Sequence, residues 1–155
     1  MNKSLFSSNS NEWETPGDLY NSLDAEFHFT LDPCSTEANH KCPKYYTRLD
    51  DGLSKDWSGE RVFMNPPYGR EIGKWIKKAY ESGTLVVCLI PARTDTAYWQ
   101  DYVIRHSSDT RFIRGRLRFL IDGKPVPHIN KKGLLTFPKA PFPSAIVIFN
   151  PDAPK

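Results

Sequence analysis

With 155 residues, 39% of them hydrophobic and 25% charged, the chain is sized for one globular unit with a real core, and is short for an α/β enzyme. No apolar run approaches the roughly 20 residues needed to cross a bilayer. Residues 1–8 lack the apolar stretch of a signal peptide, so a cytoplasmic protein without a membrane partner is expected. The net charge of +3 is modest but unevenly spread. Arg105, Arg111, Arg114, Arg116, Arg118, Lys124, Lys131 and Lys132 are opposed in their stretch only by Asp109 and Asp122. Such a patch suits phosphates and predicts salt-dependent binding of nucleic acid. The cysteines Cys34, Cys42 and Cys88 are odd in number, and free thiols are expected. Cys34, His40 and Cys42 match no common zinc spacing, and no metal is expected.

Residues 1–11 are polar and read as a flexible arm, with one domain over residues 12–155. Thr15 is placed to cap a helix, with Pro16 at its first position and Asp18 in the capping-box place. Leu19, Tyr20, Leu23 and Phe27 recur at helical spacing. Phe27-His28-Phe29-Thr30-Leu31 reads as a first strand, stopped by Asp32-Pro33-Cys34. Residues 41–61 read as turn-rich, with Asp50-Asp51-Gly52-Leu53 at their centre. Val62-Phe63-Met64 forms a strand that must end at Asn65-Pro66-Pro67-Tyr68, since two prolines remove two N–H donors and hold the backbone extended.

After Gly69, Ile72, Trp75, Ile76 and Ala79 define one face of a helix, Trp75 being core, and Gly83 suits its end. Residues 84–90 are continuously apolar, as in a central parallel strand. Pro91-Ala92-Arg93-Thr94 ends it, and Trp99, Tyr102 and Val103 mark another helix. Residues 111–113 and 116–121 read as strands around Gly115. In the second, Arg116, Arg118 and Leu120 share a face opposite Leu117, Phe119 and Ile121. A long proline- and lysine-rich loop over residues 124–143 precedes a buried strand at 144–149.

The chemistry concentrates at Asn65. A side-chain amide oxygen and a backbone carbonyl are two acceptors, a match for an exocyclic NH₂, and the Tyr68 ring offers a surface for a base. Asn-Pro-Pro-Tyr at that corner resembles the motif of S-adenosylmethionine-dependent methyltransferases that act on exocyclic amines. Trp13-x-Thr15-Pro16, the Asp32-Pro33-Cys34 strand end, Asp-Gly-Leu and Arg114-Gly115-Arg116 extend the resemblance to the bacteriophage DNA N6-adenine methyltransferase family.

That resemblance implies a compact Rossmann-like α/β fold with a mostly parallel central sheet, an antiparallel C-terminal strand and helices on both faces. It implies S-adenosyl-L-methionine as cofactor, held by Trp13, Thr15, Pro16, Asp32, Pro33, Cys34, Leu53 and Asn65, with Asp50 or Asp51 accepting from its adenine. Double-stranded DNA is the implied partner, with adenine flipped onto Asn65, Pro66, Pro67 and Tyr68. Arg93, Arg114, Arg116, Arg118, Lys131 and Lys132 are the candidate DNA contacts. The glycine-rich loop of most methyltransferases is absent after Cys34, as it is in this phage family, which also disfavours a nicotinamide enzyme. Two alternatives compete: methylation of an RNA base or a glutamine amide, and a catalytically silent DNA-binding protein on a trimmed methyltransferase fold. No histidine is nominated for catalysis, because His28, His40, His106 and His128 have no convincing partner in the sequence.

Overall fold

The computed structural model describes residues 13–121 and 123–154. The arm expected over residues 1–11 lies outside them. The fold is built on a six-stranded sheet in the order β2-β1-β3-β4-β10-β5. Its strands are β1 (Leu31–Ser35), β2 (Lys44–Thr47), β3 (Arg61–Met64), β4 (Leu85–Pro91), β5 (Asp109–Phe112) and β10 (Ser144–Phe149). β1 pairs in parallel with β2 and β3, and β3 with β4. β10 runs antiparallel to both β4 and β5. This is the mixed α/β architecture, mostly parallel with a reversed C-terminal strand, that the family resemblance implies.

Burial explains the apolar runs. Every residue of β4 and β10 is buried, as are Val62, Phe63 and Met64 of β3, so these strands are covered on both faces. Tyr20 of helix α1 (Gly17–Phe27) meets Phe63 edge-on at 5.1 Å. Val62 and Met64, on the other side of the pleat, are equally enclosed. Helix α2 (Ile72–Glu81) buries Ile72, Trp75, Ile76 and Ala79, the face read from the sequence, and Gly83 follows it at φ 66.

Several boundaries move. Phe27 belongs to α1, and the first strand starts at Leu31. His28 turns left-handed (φ 54), its N–H donating to the Asp24 carbonyl, while Phe29 N–H donates to Asp24 Oδ1 at 2.8 Å. That local cap outweighs the strand preference of Phe27-His28-Phe29. Asp32, Pro33 and Cys34 lie inside β1 instead of ending it. The register to β2 shifts between Asp32 and Ser35, a bulge that accommodates a proline with no N–H to give. Thr15 does not cap α1: Pro16 precedes the first turn and no side chain bonds there.

β2 is a strand that the turn-rich reading of residues 41–61 misses; it is a four-residue edge strand with no fully buried position. The Trp99 segment is a π-helical turn (Trp99–Val103) running into α3 (Ile104–His106), pinned to the end of β4 by Trp99 Nε1 donating to Pro91 O at 2.9 Å. Of the expected strand 116–121 only β6 (Leu120–Ile121) is paired, with β7 (Lys124–Pro125). The long loop holds a further hairpin, β8 (His128–Ile129) with β9 (Leu135–Thr136). Among the described residues no helix is long and apolar enough to cross a membrane.

Candidate active site

Between β1 and β3 the chain reverses its direction of travel across the sheet, the place where open α/β sheets leave a crevice at their carboxyl ends. A cavity of about 1310 Å³ lies there, lined by residues from β1, β3 and β4 or the turns after them. It exceeds the roughly 300–1,000 Å³ of a usual small-molecule pocket, leaving space for two ligands side by side.

Asn65 sits at the end of β3, where Pro66 and Pro67 stop the ladder. Its Nδ2 donates to the Trp13 carbonyl and to Thr15 Oγ1, the latter at 3.0 Å. A carbonyl oxygen can only accept, so the amide group facing Trp13 must be the NH₂. Oδ1 is thereby turned away from that pair, and it is buried with no protein partner. Among the described residues, the other such side-chain atom is Ser144 Oγ. An unmade bond at a buried acceptor costs roughly 1–3 kcal/mol, which a donor brought within bonding distance of Oδ1 recovers.

Thr15 therefore orients Asn65. Thr15→Val removes the acceptor while keeping the shape. The expected result is a shifted Asn65 side-chain amide resonance, with the wild-type position recovered in Thr15→Ser; an unmoved resonance would show that Thr15 does not hold the amide.

Tyr68 lines the cavity but is only 5% exposed. Its hydroxyl donates to Leu89 O at 3.1 Å, and Phe119 and Phe142 stand edge-on to its ring at 6.1 and 5.7 Å. Burial holds its phenol far above its ordinary pKa, so it is a fixed neutral wall. Trp13 packs edge-on against the same Phe119 and Phe142. One aromatic cluster thus joins the orienting segment to the Asn-Pro-Pro-Tyr corner.

On the β1 side, the Asp32 carboxylate is buried, accepting from Cys34 N–H at 3.2 Å and Lys41 N–H at 2.9 Å. It ties down both the bulge and the loop that follows. Burial pushes its pKa up against the opposing pull of those two bonds. Pro33 and Cys34, a free cysteine, also line the cavity.

Asp50 and Asp51 separate clearly. Asp50 Oδ2 is occupied by the N–H and hydroxyl of Thr47, at 2.8 and 3.1 Å, which hold its pKa below the usual carboxylate value. Asp51, at φ 55, lines the cavity with Leu53. Trp57 is core, donating from Nε1 to Gly52 O at 3.0 Å. Gly52 itself is pressed against β1: a Cβ there would stand 2.4 Å from Pro33 O and 3.1 Å from the Trp75 ring. The glycine is what lets the Asp-Gly-Leu turn reach the cavity wall.

The basic candidates divide. Arg93 lines the cavity, its guanidinium 5.5 Å from the Phe142 ring centre. Arg118 Nε donates to Phe137 O at 2.9 Å, and Arg116 reaches Ala140 O at 3.5 Å, so both brace the long loop. Arg114, Lys131 and Lys132 are exposed away from the cavity lining. Arg111, part of the same basic run, is held by Glu26 through two 2.7 Å bonds and by Asp109 at 3.1 Å. Pro16, Asp50 and Pro66 do not line the cavity, and Pro66 is buried.

Sequence reasoning misses Arg70, Arg48 and Glu14, which do line it. Arg70 follows Gly69 directly, so its place beside the motif was available as a signal. Glu14 lies between Trp13 and Thr15. It pairs through its backbone with Leu120 at 3.0 Å and takes Gly123 N–H on Oε1 at 2.8 Å. No local pattern reveals that long-range bridge. Among the described residues no group of His, Cys, Asp and Glu is placed to hold a metal ion.

The family model for DNA N-6-adenine-methyltransferase (Dam) matches residues 3–152. The DNA N-6-adenine-methyltransferase of Haemophilus phage HP1 is 29% identical over 143 residues, covering 85% of this chain and 82% of that protein. The DNA N-6-adenine-methyltransferase of Escherichia phage T1 is 29% identical over 116 residues, covering 72% of this chain and 48% of that longer protein. With a sheet, crevice and orphan amide acceptor of the required kind, and a family match across nearly its whole length, the chain belongs to the DNA N-6-adenine-methyltransferase family.

Proposed function

We propose that this adenine-specific DNA methyltransferase takes its methyl group from S-adenosylmethionine and delivers it to N6 of an adenine turned out of duplex DNA. The observation that carries the reading is the buried, unpartnered Oδ1 of Asn65 beside a cavity large enough for cofactor and base. The residues present fit the cofactor. Asp51 offers a carboxylate to an adenine amino group beside the apolar Leu53, and the buried Asp32 carboxylate lies on the same wall. When bound, S-adenosylmethionine supplies an electrophilic methyl group on a positively charged sulfur.

The protein's part is placement. Asn65 Oδ1 accepts one amino hydrogen of adenine and the family resemblance gives the second to the Pro66 carbonyl, a pairing that favours a tetrahedral nitrogen with its lone pair directed at the methyl group. Trp13 and Thr15 hold the amide so that its oxygen, not its NH₂, meets the base. The Tyr68 ring supplies an apolar wall for the purine. No base need remove a proton beforehand, since a proton leaves readily once the nitrogen has become cationic. This accords with the absence of any histidine from the cavity lining.

Arg70 and Arg93, at the same cavity and beside the ends of β3 and β4, are cations suited to the phosphates flanking the extruded nucleotide. Arg70→Ala and Arg93→Ala are each expected to weaken DNA binding and to flatten the slope of log K against log salt by about 0.9. Unchanged slopes would remove them from the DNA surface.

Incubation with methyl-labelled S-adenosylmethionine and unmethylated DNA, followed by digestion to nucleosides, tests the function. The label is expected in N6-methyldeoxyadenosine. Label in cytosine, label in RNA alone, or none at all would overturn the proposal.

A further inference from the structure

The hairpin of β8 and β9 exposes what a folded protein normally hides. Ile129 and Leu135 are cross-strand partners and so share a face, and Phe137 lies two residues further along that face. These side chains are 58%, 60% and 45% exposed. The opposite face, His128 and Thr136, is half-buried, with Thr136 Oγ1 donating to His128 O at 3.0 Å.

The tip is built to be stiff. Asn130 Oδ1 accepts from the N–H groups of Lys132 and Leu134 at 2.9 and 3.0 Å, and Gly133 takes φ 77. Lys131 and Lys132 are carried outward at that tip. From residue 123 to residue 151 the sequence holds no Asp or Glu.

The hairpin is also rooted at the site. Ile121, before it, lines the cavity, and Phe142, after it, packs on Tyr68. Arg118 braces its outgoing strand through the Phe137 carbonyl.

We propose that the hairpin of residues 128–137 is a wedge that enters duplex DNA, its lysine tip on the phosphates and its Ile129–Leu135–Phe137 face against base planes. The charge selects DNA over a second copy of this chain, because two acid-free lysine tips repel while a phosphate backbone attracts. The apolar face selects the base stack over a groove floor. Base edges are polar apart from the thymine methyl, whereas a step opened by base extrusion exposes apolar planes for aliphatic side chains to cover. The inference rests on the adenine-flipping reading and adds the element that occupies the opened step.

The double variant Ile129→Ser/Leu135→Ser tests it. Both positions are solvent-exposed, and the backbone pairing and tip bonds need neither side chain. Closed circular plasmid is relaxed with topoisomerase in the presence of saturating protein, and methyl transfer is followed on duplex and single-stranded DNA. Wild type is expected to unwind the plasmid and the variant to lose most of that effect. Duplex kcat/KM should fall about tenfold or more, with single-strand activity within about twofold of wild type. Unchanged unwinding and duplex activity would overturn the wedge. So would a change confined to self-association in sedimentation. Wild-type protein that unwinds DNA through this face but transfers no methyl group would sink the proposed reaction and leave the wedge standing.

Discussion

Asn65→Ala is expected to lower kcat by about 10²- to 10³-fold while leaving S-adenosylmethionine binding and the fold in place. The size follows from losing one preorganised hydrogen-bonding group aimed at the reacting atom. The small stability change follows from opposing effects. The variant gives up the bonds to the Trp13 carbonyl and Thr15, and it also removes a buried oxygen that has no partner. Native proteins tolerate such an orphan where activity requires it. Stopped-time methyl transfer, cofactor calorimetry and a thermal melt on the same preparation check all three parts. Activity equal to wild type would show that the amide oxygen does not meet the substrate.

Gly52→Ala is expected to be strongly destabilising. The new Cβ would stand 2.4 Å from the Pro33 carbonyl, a backbone atom fixed within β1, and 3.1 Å from the buried Trp75 ring. Overpacking usually costs about 1–3 kcal/mol, and a rigid backbone neighbour puts this case near the upper end. For a chain of this size that corresponds to a melting temperature lower by roughly 6–12 °C. Because the turn that must retreat carries Asp51 and Leu53, the residues proposed to hold the cofactor's adenine, the proposed reading expects cofactor affinity to fall as well. The contrast with Gly59→Ala is informative: no atom lies within 4 Å of the added carbon there, so its cost comes only from the positive φ of 77°. A Gly52→Ala protein as stable as wild type would show that the turn is not pressed on β1.

The core of the fold was legible because burial on both faces writes itself as unbroken apolar sequence, as in β4 and β10. The corner at Asn65 was legible because two prolines after three apolar residues permit little else. What escaped depended on contacts distant in sequence. Thr15 has every local mark of a helix cap, yet its hydroxyl serves Asn65, fifty residues on. The strand expected at Phe27 lost to a left-handed turn at His28 stabilised by Asp24, a side-chain bond that periodicity does not register. β2 is too short and too exposed to carry a pattern. Arg116 and Arg118 are read from sequence as charge alone, and their bonds to the Ala140 and Phe137 carbonyls, about twenty residues on, carry no local signal. The role of Gly52 could be read only once β1 and the Asp-Gly-Leu turn were seen in contact.

A structure of the protein with duplex DNA and a non-reactive analogue of S-adenosylmethionine would bear most directly on all of this. The distance to measure runs from Asn65 Oδ1 to the nitrogen of the extruded adenine. It should be about 2.9 Å, with the amide NH₂ still on Trp13 and Thr15. An adenine left in the stack, or an Asn65 oxygen bonded to the cofactor in place of the base, would contradict the account.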